Sequence, residues 1–370
     1  MKKTVVGILF GGKSAEHEIS LLSAKNIYEA IDREKFDPVL IGIDKSGRWL
    51  LSGSAEKFLL NSDNPALISL NPAGRAVALQ PETGGLLAGS ETATEAANSF
   101  SSIHVDVVFP VLHGPFGEDG TIQGFLKLAD IPFAGAGVLG SAAGMDKDVM
   151  KRLMRDAGIP IGKFLVLKSH EKLLPFEEVE AALGLPFFIK PANMGSSVGI
   201  SKVRDEKEYA AAVKDAFLYD TKIIIEEFIP GREIECAVLG NETPAASVPG
   251  EIIPSHDFYS YDAKYLDEDG AALEIPARLD EKTIKRVQEL SVKVFQTLCC
   301  EGLSRVDFFL KDDGDLIVNE INTMPGFTKI SMYPKMWEAS GISYTELITR
   351  LIELALERFE KERRLKTSVV

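Results

Sequence analysis

The stretch DFFLKDDGDLIVNEINTMPGFTKIS, residues 307–331, carries the strongest signal about both architecture and chemistry. The pair DG at 313–314 stands between two short apolar runs, an arrangement typical of a β-hairpin turn. Glu320 and Asn322 are two residues apart on the second predicted strand, so their side chains share one face. Pairing of the two strands brings Asp307 beside them. Three hard oxygen donors then converge, which suits Mg²⁺, because this ion takes one or two carboxylates together with phosphate oxygens and water.

Composition indicates an acidic protein of two or three domains. The chain has 370 residues, a formal net charge of -14 and a pI of about 5.0. This balance disfavours nucleic acid as an obligatory partner, since a phosphate backbone requires a basic face. The apolar run at residues 5–10 is short and no cleavage site follows it, so we expect neither a signal peptide nor a membrane span. The 3 cysteines form no C-x-x-C pair, which favours reduced thiols in the cytoplasm.

Residues 1–142 predict a small doubly wound α/β sheet. Strands alternating with helices are predicted at 4–10, 36–43, 105–111 and 131–133. Ser14 is a suitable N-cap for the first helix. Ligands of such sheets bind at the carboxyl ends of the strands, where Gly11-Gly12 and His113-Gly114 lie. Residues 71–102 are rich in small and polar residues without periodicity, and we expect an exposed insertion with little chemistry in it.

A second unit is predicted after residue 142. It opens on a helix at 146–156 and mixes strands with helices. Strands dominate from Lys222 onward, until a helix at 280–298 leads into the hairpin.

Two stretches are candidates for phosphate binding. Residues 7–14, GILFGGKS, fit the G-x-x-x-x-G-K-[ST] pattern of a P-loop, which makes a P-loop nucleotidase one hypothesis. Its inner residues, Ile8 to Phe10, look instead like the continuation of a buried strand that ends in a turn. Residues 187–199, FFIKPANMGSSVG, place Lys190 near the end of a strand and follow it with a Gly-Ser loop rich in backbone donors. Such a loop can fold over a triphosphate.

Taken together, the motifs of this chain resemble those of the ATP-grasp enzymes and, among them, of the D-alanine–D-alanine ligases. The resemblance covers essentially the whole chain, with its motifs in family order: GGKSAEHEIS, HGPFGEDGTIQG, GMDK, KPANMGSSVGISKV, GREIECAVLG, YDAKY, RVD and NEINTMPGFT. It implies an ATP-grasp fold preceded by a small doubly wound, Rossmann-like N-terminal domain. The domains implied are an N-terminal substrate-binding domain at 1–142, a central ATP-grasp subdomain at 143–226 and a C-terminal one at 227–370 with the metal site and an omega loop.

The implied reaction has two steps and serves peptidoglycan precursor synthesis. ATP phosphorylates the carboxylate of one D-alanine, and the amine of a second D-alanine attacks the acylphosphate to give D-alanyl-D-alanine, ADP and phosphate. Both steps move negative charge, so positioning and electrostatic clamping should dominate catalysis. The implied cofactors are ATP and two Mg²⁺ ions, for which Mn²⁺ can substitute.

The resemblance also implies roles for single residues. The implied metal ligands are Asp307, Glu320 and Asn322. The implied nucleotide contacts are Lys147, Lys190, Ser196, Ser197, Glu226, Glu227, Ile229, Glu233, Lys264 and Asn319. The implied substrate contacts are Glu16, His113, Arg305, Gly326, Ser331 and Met332. The implied catalytic set is Glu16, Ser196, Tyr265 and Arg305, in which Ser196 and Tyr265 fasten a loop at 257–269 across the site. Glu227 departs from the family pattern, because some relatives carry a basic residue there.

Alternatives from other classes stay open on the sequence alone. A ligase that joins D-alanine to D-lactate shares this fold, but those relatives depart from Tyr at the position of Tyr265, so its presence favours an amine nucleophile. A non-catalytic nucleotide-binding module is a third possibility. The resemblance further implies D-alanine as substrate, a homodimer in the cytoplasm, and neither nucleic acid nor membrane as partner.

Overall fold

The computed structural model describes residues 2–52, 58–61, 64, 67–72, 74–80, 85–88, 101–254 and 271–366. Its strands are β1 (Thr4–Gly11), β2 (Phe36–Ile43), β3 (Trp49–Ser52), β4 (Leu59–Leu60), β5 (Ser69–Leu70), β6 (Arg75–Gln80), β7 (Gly85–Ala88), β8 (Ser101–His104), β9 (Val107–Val111), β10 (Phe164–Lys168), β11 (Phe187–Pro191), β12 (Ser201–Val203), β13 (Lys222–Glu227), β14 (Arg232–Gly240), β15 (Ala245–Ala246), β16 (Gly250–Pro254), β17 (Ala271–Glu274), β18 (Gly302–Leu310) and β19 (Leu316–Asn322). Its helices are α1 (His17–Ala30), α2 (Thr121–Leu128), α3 (Val138–Met145), α4 (Lys147–Asp156), α5 (Phe176–Leu183), α6 (Glu206–Ala216), α7 (Glu281–Thr297), α8 (Met332–Ala339) and α9 (Tyr344–Arg363).

The N-terminal unit is built on a seven-stranded sheet in the order β8-β7-β6-β3-β2-β1-β9. Strand β1 pairs in parallel with both β2 and β9, as the strand–helix–strand order predicts. The last six residues of β1 are all buried, as expected of a central parallel strand that is covered on both faces. Residues 7–10 therefore belong to a paired strand, and the P-loop hypothesis is wrong because its inner residues cannot curl around phosphate.

The described part of residues 71–102 contains strands that the sequence does not predict, and the expectation of an exposed insertion with little chemistry stays a prediction. Strands β6, β7 and β8 form an antiparallel meander that joins the sheet through the pairing of β3 with β6. Their strand structure depends on pairing with the sheet edge, and local periodicity does not reveal such context. Residues 81–84 and 89–100 lie outside the described part of the chain.

Strands β4 and β5 pair with each other, and two larger antiparallel sheets contain the described strands from β10 onward. One has four strands in the order β10-β13-β11-β12, and the other runs β17-β16-β14-β18-β19 with β15 paired to β14. The predicted hairpin is confirmed, since β18 and β19 pair directly on either side of the turn at 313–314. The two sheets face each other across the central cleft described below.

A continuous apolar core joins the N-terminal sheet to the C-terminal helices. Phe109 on β9 meets Phe327 edge to face, with ring centroids 5.7 Å apart, and Phe327 also lies 5.6 Å from the Tyr333 ring on α8. The buried guanidinium of Arg358 on α9 donates to the carbonyl oxygen of Phe133 at 2.8 Å. The four-stranded sheet has a separate core of its own. The segment after β19 is therefore fixed to the N-terminal unit.

Local helix signals account for most boundaries, with two corrections. Helix α1 begins at His17 with Glu16 as its N-cap, so the prediction of Ser14 as N-cap is wrong; the Ser14 hydroxyl instead accepts the Glu16 N–H at 3.0 Å. Residues 131–133 contribute only an isolated bridge, from Phe133 to Val108, because the segment leaves the sheet at once.

Helices α3 and α8 were not predicted from periodicity. The sequence of α3, VLGSAAGM, is apolar all round, and α8 begins MYP, with the proline in its first turn, where no intrahelical N–H is needed. None of the nine helices in the described residues combines the length and apolar character that crossing a bilayer demands.

Candidate active site

The hairpin of β18 and β19 places charged side chains on one face of the six-stranded sheet. Asp307 lies directly opposite Glu320, and Arg305 lies opposite Asn322. The Arg305 guanidinium donates to both Asp307 oxygens at 2.7 and 2.6 Å, and its Nε lies 3.0 Å from a Glu235 oxygen on β14. We call Glu235, Arg305 and Asp307 the hairpin end; Asp307 is paired with Glu320, which lines the central cleft described below. A bidentate pair of this kind fixes both the carboxylate and the guanidinium plane.

The three predicted metal ligands are brought together. Directly opposed residues in an antiparallel pair have Cβ atoms about 5 Å apart, so the Asp307 and Glu320 carboxylates can share one ion. The Asn322 amide donates to Asp307 at 2.9 Å. Among the described residues no group of three or more His, Cys, Asp and Glu side chains is arranged to hold a metal. With two carboxylates and one amide, the set fits Mg²⁺ that completes its shell with phosphate oxygens and water.

A bulge in the hairpin accounts for Asn319. The pairing register shifts between Asp307 and Phe308, so that Phe308 lies opposite Val318 and Asn319 is the extra residue. Bulges redirect side chains and are common beside active sites. Asn319 and its neighbour Glu320 both line the central cleft.

The central cleft lies between the two antiparallel sheets and holds about 300 Å³. The predicted nucleotide contacts among the described residues all line it: Lys147, Lys190, Ser196, Ser197, Glu226, Glu227, Ile229, Glu233 and Asn319. Apolar side chains that include Phe188, Phe228, Phe309 and Val318 also line it. A cleft that combines apolar walls with convergent charged groups suits a nucleotide base and its phosphates.

Lysine side chains line the cleft opposite the hairpin. Lys147 donates to the carbonyl oxygen of Met194 at 2.8 Å and lies 3.5 Å from a Glu320 oxygen. Lys190 lies 2.6 Å from Glu226 Oε2, and Lys151 lies 2.8 Å from Glu226 Oε1. We call Lys151, Lys190 and Glu226 the base end of the cleft.

The charges at the base end are strongly coupled. Burial alone would raise the pKa of the Glu226 carboxyl, but Lys151 and Lys190 hold that pKa down at about 2. Burial would likewise lower the pKa of Lys190, and the charges of Glu226 and Glu320 raise it instead. Glu226 and Lys190 are therefore both ionised at neutral pH. Glu226 Oε1 is buried and accepts no hydrogen bond of good direction, so part of its capacity as an acceptor is unused.

Glu227 has a structural partner of its own. Its Oε1 accepts the Lys163 N–H at 2.7 Å, which ties β13 to the segment before β10. The side chain also lines the cleft. An acidic residue can therefore stand where some relatives carry a basic one without leaving a buried charge unpartnered.

Glu16 lies where three loops meet. The Ser196 hydroxyl donates to its Oε1, as the predicted hydrogen-bonded set requires. A Cβ added to Gly114 would lie 2.5 Å from Glu16 Oε2, and one added to Gly195 would lie 2.8 Å from the same atom. Both glycines are needed for this close approach, since any side chain would collide with the carboxylate. Glu16 is thus held between the loops that follow β9 and β11.

His113 lies beneath the segment that follows β19. Its Nδ1 lies 3.0 Å from the carbonyl oxygen of Met324, and its Nε2 lies 3.3 Å from the Ser23 hydroxyl. Burial lowers the pKa of His113 to about 4, so the ring is neutral and Nδ1–H is the donor to Met324. The Ser23 oxygen also accepts the Phe327 N–H at 3.1 Å. Both ring nitrogens face protein groups, so a direct contact between His113 and substrate stays a prediction.

Glu118 also contacts the segment that follows β19, through the N–H of Met324. Its carboxylate accepts the Gly114 N–H at 2.9 Å and the Met324 N–H at 3.0 Å. Burial, and next the charge of Glu16, raise the pKa of Glu118 to about 7. Two hydrogen bonds thus hold the backbone of Met324: its N–H donates to Glu118, and its carbonyl oxygen accepts from His113.

Gly326, Ser331 and Met332 are close together. A Cβ on Gly326 would lie 2.8 Å from the Ser331 hydroxyl, which also accepts the Thr328 N–H at 2.9 Å. Ser331 is the N-cap of α8, and Met332 is its first residue. The Ser331 side chain forms no cap hydrogen bond, and the start of α8 presents backbone N–H groups suited to a carboxylate.

Two predicted residues, Lys264 and Tyr265, and the predicted loop at 257–269 lie outside the described residues. Three described residues with clear contacts were not predicted: Lys151, Glu118 and Glu235. The signal for Lys151 was its spacing of four from Lys147 on one helix, and Glu118 stands inside the quoted HGPFGEDGTIQG motif. Glu235 is signalled only by its register opposite Asp307, which the sequence does not reveal.

Comparisons with known proteins agree with this geometry. Family models described as D-ala D-ala ligase N-terminus and C-terminus match residues 5–136 and 153–353. A D-alanine–D-alanine ligase from Shouchella clausii is 56% identical over 372 residues, covering 100% of this chain and 99% of that protein. D-alanine–D-alanine ligase A from Escherichia coli is 54% identical over 370 residues, covering 100% of both chains.

Solved structures are similar over nearly the whole chain. The D-alanine–D-alanine ligase of Coxiella burnetii has a TM-score of 0.84 at 37% identity, covering 98% of this chain and 97% of that one. A D-Ala:D-Ser ligase from Enterococcus faecalis has a TM-score of 0.83 at 39% identity, covering 96% and 100%. Family models that cover most of the sequence, together with relatives more than half identical over its full length, establish that this chain belongs to the D-alanine–D-alanine ligase family.

Proposed function

We propose that the chain joins two D-alanine molecules with ATP to give D-alanyl-D-alanine for peptidoglycan synthesis. The observation that carries this proposal is the meeting of three groups at one cleft. Lys147 and Lys190 line it, the hairpin carboxylate Glu320 lines it beside its strand partner Asp307, and Glu16 reaches it through Ser196. Cations for phosphates, acids for a metal and an acid for an ammonium group are the parts that carboxylate activation by ATP needs.

ATP lies along the cleft with its base at the base end. Glu226 Oε1 accepts a hydrogen bond from the exocyclic amine of adenine, and the Ile229 backbone binds the edge of the adenine ring. Glu233 accepts hydrogen bonds from the ribose hydroxyls. Lys147 and Lys190 bind the phosphates, and Ser196 and Ser197 cover them. Both serines have left-handed backbones, with φ of 49° and 61°, a strained geometry that is common in ligand-binding loops.

Asp307, Glu320 and Asn322 hold the magnesium ions that accompany ATP. Bound there, Mg²⁺ neutralises charge on the phosphate oxygens and orients the γ-phosphoryl group. The residues themselves contribute rigidity, because the hairpin register fixes Asp307 opposite Glu320. Mn²⁺ has similar oxygen-ligand preferences and is expected to replace Mg²⁺.

The first D-alanine binds with its ammonium group at Glu16. Its carboxylate oxygen then attacks the γ-phosphorus, the bond from that phosphorus to the bridging oxygen breaks, and ADP leaves as D-alanyl phosphate forms. Arg305 faces the oxygen on which negative charge accumulates, and the Gly326 N–H is the second donor to that oxygen. Both donors are held in advance, Arg305 by Asp307 and Glu235, and the segment at Gly326 by the Phe109–Phe327 packing. Preorganised donors of this kind lower the barrier without reorganising during the reaction.

The second D-alanine binds with its carboxylate at Ser331 and the Met332 N–H, at the N-terminus of α8. Its neutral amine attacks the acyl carbon, the bond from that carbon to the phosphate oxygen breaks, and phosphate leaves with the proton that the nitrogen gives up. Lys264 and Tyr265, through the loop at 257–269, close the site against water that would hydrolyse the acylphosphate. His113 and Glu118 act indirectly by holding the Met324 peptide between the two substrate positions.

Further properties follow the family. The domains end near residues 142 and 226, the enzyme works as a homodimer in the cytoplasm, and an amine is the natural nucleophile. The Tyr at position 265 supports the last point over an ester-forming ligase.

The decisive experiment measures phosphate release from ATP and identifies the product. With Mg²⁺ and D-alanine we expect one phosphate and one ADP per D-alanyl-D-alanine, with little turnover when D-alanine is omitted. Parallel reactions offer D-lactate and D-serine as second substrates in competition with D-alanine. An excess of ester with D-lactate at neutral pH, or equal ATP turnover without D-alanine, would overturn the proposal.

A further inference from the structure

Lys151 is only 3% exposed, yet it lines the central cleft. It stands four residues after Lys147 on α4, so the two side chains leave the same face of the helix one turn apart. Lys147 reaches Glu320 and the Met194 carbonyl, whereas Lys151 reaches Glu226. One helix therefore presents one lysine to the hairpin and another to the base end.

Glu226 is held from both sides, but not in the same way. Its Oε2 accepts a hydrogen bond from Lys190, with the two atoms 2.6 Å apart. Its Oε1 lies 2.8 Å from Lys151 Nζ, in an ion pair without good hydrogen-bond direction, and is buried. A carboxylate oxygen has two lone-pair sites, so Oε1 can accept a ligand donor while the ion pair persists.

The two lysines have different tasks once ATP binds. Lys190 belongs to the phosphate-binding set of the proposed function, and phosphate oxygens compete with Glu226 for its protons. Lys151 lies a helical turn from Lys147 and is more deeply buried, so it can stay with Glu226. A buried carboxylate that loses its cation is strongly destabilised and moves or takes up a proton. Lys151 is the partner that prevents this.

We infer that Lys151 is a positioning residue that keeps Glu226 in place for the exocyclic amine of adenine and so sets the preference for adenine over hypoxanthine. This inference rests on the proposed contact between Glu226 and adenine. Adenine presents a donor to the carboxylate, whereas hypoxanthine presents a carbonyl acceptor at the same position. Two acceptors facing each other in a buried site leave both unpaired, so discrimination depends on how firmly the carboxylate is held.

The test compares kcat/KM for ATP and for ITP in wild type, Lys151→Met, Lys151→Arg and the control Arg155→Met. Arg155 is exposed on the same helix. We expect wild type to prefer ATP about 100-fold or more, and Lys151→Met to lower that ratio about tenfold, mainly through a higher KM for ATP. The KM for D-alanine should not change. Lys151→Arg keeps the cation and should restore the ratio to within about threefold, and Arg155→Met should match wild type.

Binding of ADP and IDP, measured by calorimetry, gives the same ratio without catalysis, and Lys151→Gln provides a second neutral variant. A loss of equal size for both nucleotides in the neutral variants would mean that Lys151 only stabilises the fold, and the inference would be wrong. A wild type that does not distinguish ATP from ITP would instead refute the adenine contact of Glu226 in the proposed function. The two failures are therefore distinguishable.

Discussion

At the base end of the central cleft one carboxylate lies between two lysines, whereas at the hairpin end one guanidinium lies between two carboxylates. Glu226 is paired with Lys151 and Lys190, and Arg305 is paired with Asp307 and Glu235. Each cluster carries one unit of excess charge, of opposite sign. The positive excess favours polyanionic phosphates, and the negative excess favours a divalent cation. The comparison shows how one cleft can attract both parts of a magnesium–nucleotide complex.

Removing an acid beside the hairpin end should have the largest effect. Glu320→Gln keeps the shape of the side chain but removes one of the two proposed metal carboxylates, and we expect kcat to fall roughly 1,000-fold, or about 4 kcal/mol. Circular dichroism should stay native. Asp315→Asn, at the exposed end of the same hairpin, is the control and should be fully active. Near-normal turnover of Glu320→Gln would show that the metal assignment is wrong.

Changing the central cation of the hairpin end should come next. Arg305→Lys keeps the charge but loses the planar fork that binds both Asp307 oxygens, so we expect kcat to fall about 100-fold. The KM for ATP should change little, because Arg305 faces the reacting acyl group in the proposed function. Initial rates at saturating ATP and D-alanine measure the loss. A change in the KM for ATP alone would place Arg305 with the nucleotide instead.

Removing a cation from the base end should act on nucleotide binding. Lys190→Met loses a charge-assisted contact, and we expect the KM for ATP to rise about 30-fold, or roughly 2 kcal/mol. The KM for D-alanine should stay the same. Lys13→Ala removes the exposed lysine of the rejected P-loop pattern and should leave both constants unchanged. The opposite result for the two variants would return phosphate binding to residues 7–14.

The smallest effect concerns an acid that belongs to neither cluster. Among the described residues Glu118 forms no ion pair, and its pKa is raised from 4.5 to about 7, while the pKa of Glu226 is lowered to about 2. A raised pKa stabilises the fold fully below pH 4.5, and this contribution is lost as the pH rises through 7. The contribution of Glu226 to stability is constant between pH 4.5 and 7, because it is lost only as the pH falls from 4.5 toward 2.

Glu118→Gln should therefore flatten the dependence of stability on pH between pH 5 and 8. Urea unfolding of wild type and variant at several pH values measures the difference, with Glu346→Gln on the exposed face of α9 as control. Parallel curves for wild type and Glu118→Gln would show that Glu118 is ionised throughout this range.

Sequence reasoning predicted the parts of the site that short-range order determines. The alternation along β19 places Glu320 and Asn322 on one face, and the DG turn brings Asp307 to them. The base end could be predicted only in part, because Lys151 meets Glu226 through the packing of a helix against a distant strand. Residues 75 apart that meet in this way leave no local pattern. The same holds for Glu235, which depends on the register between β14 and β18.

The fold shows the same division between local and distant causes. The parallel pairing of β1 follows from a buried apolar run between turn and helix signals. The meander of β6 to β8 and the helix α3 could not be predicted, because their sequences are neither alternating nor amphipathic. Pairing with an existing sheet edge supports the meander, and burial on all sides supports α3. Tertiary context therefore overrides weak local preference in both places.

The edge-to-face packing of Phe109 on Phe327 has a consequence for turnover. It ties the segment that carries the proposed contacts to the second D-alanine to the N-terminal sheet, while the four-stranded sheet has a separate core. We therefore expect the exchange of ADP for ATP to occur by a hinge motion, in which the four-stranded sheet rotates away from the rest of the protein and then returns. The N-terminal sheet and the C-terminal segment packed on it, where we propose that the two amino acids bind, should keep the same conformation throughout the cycle.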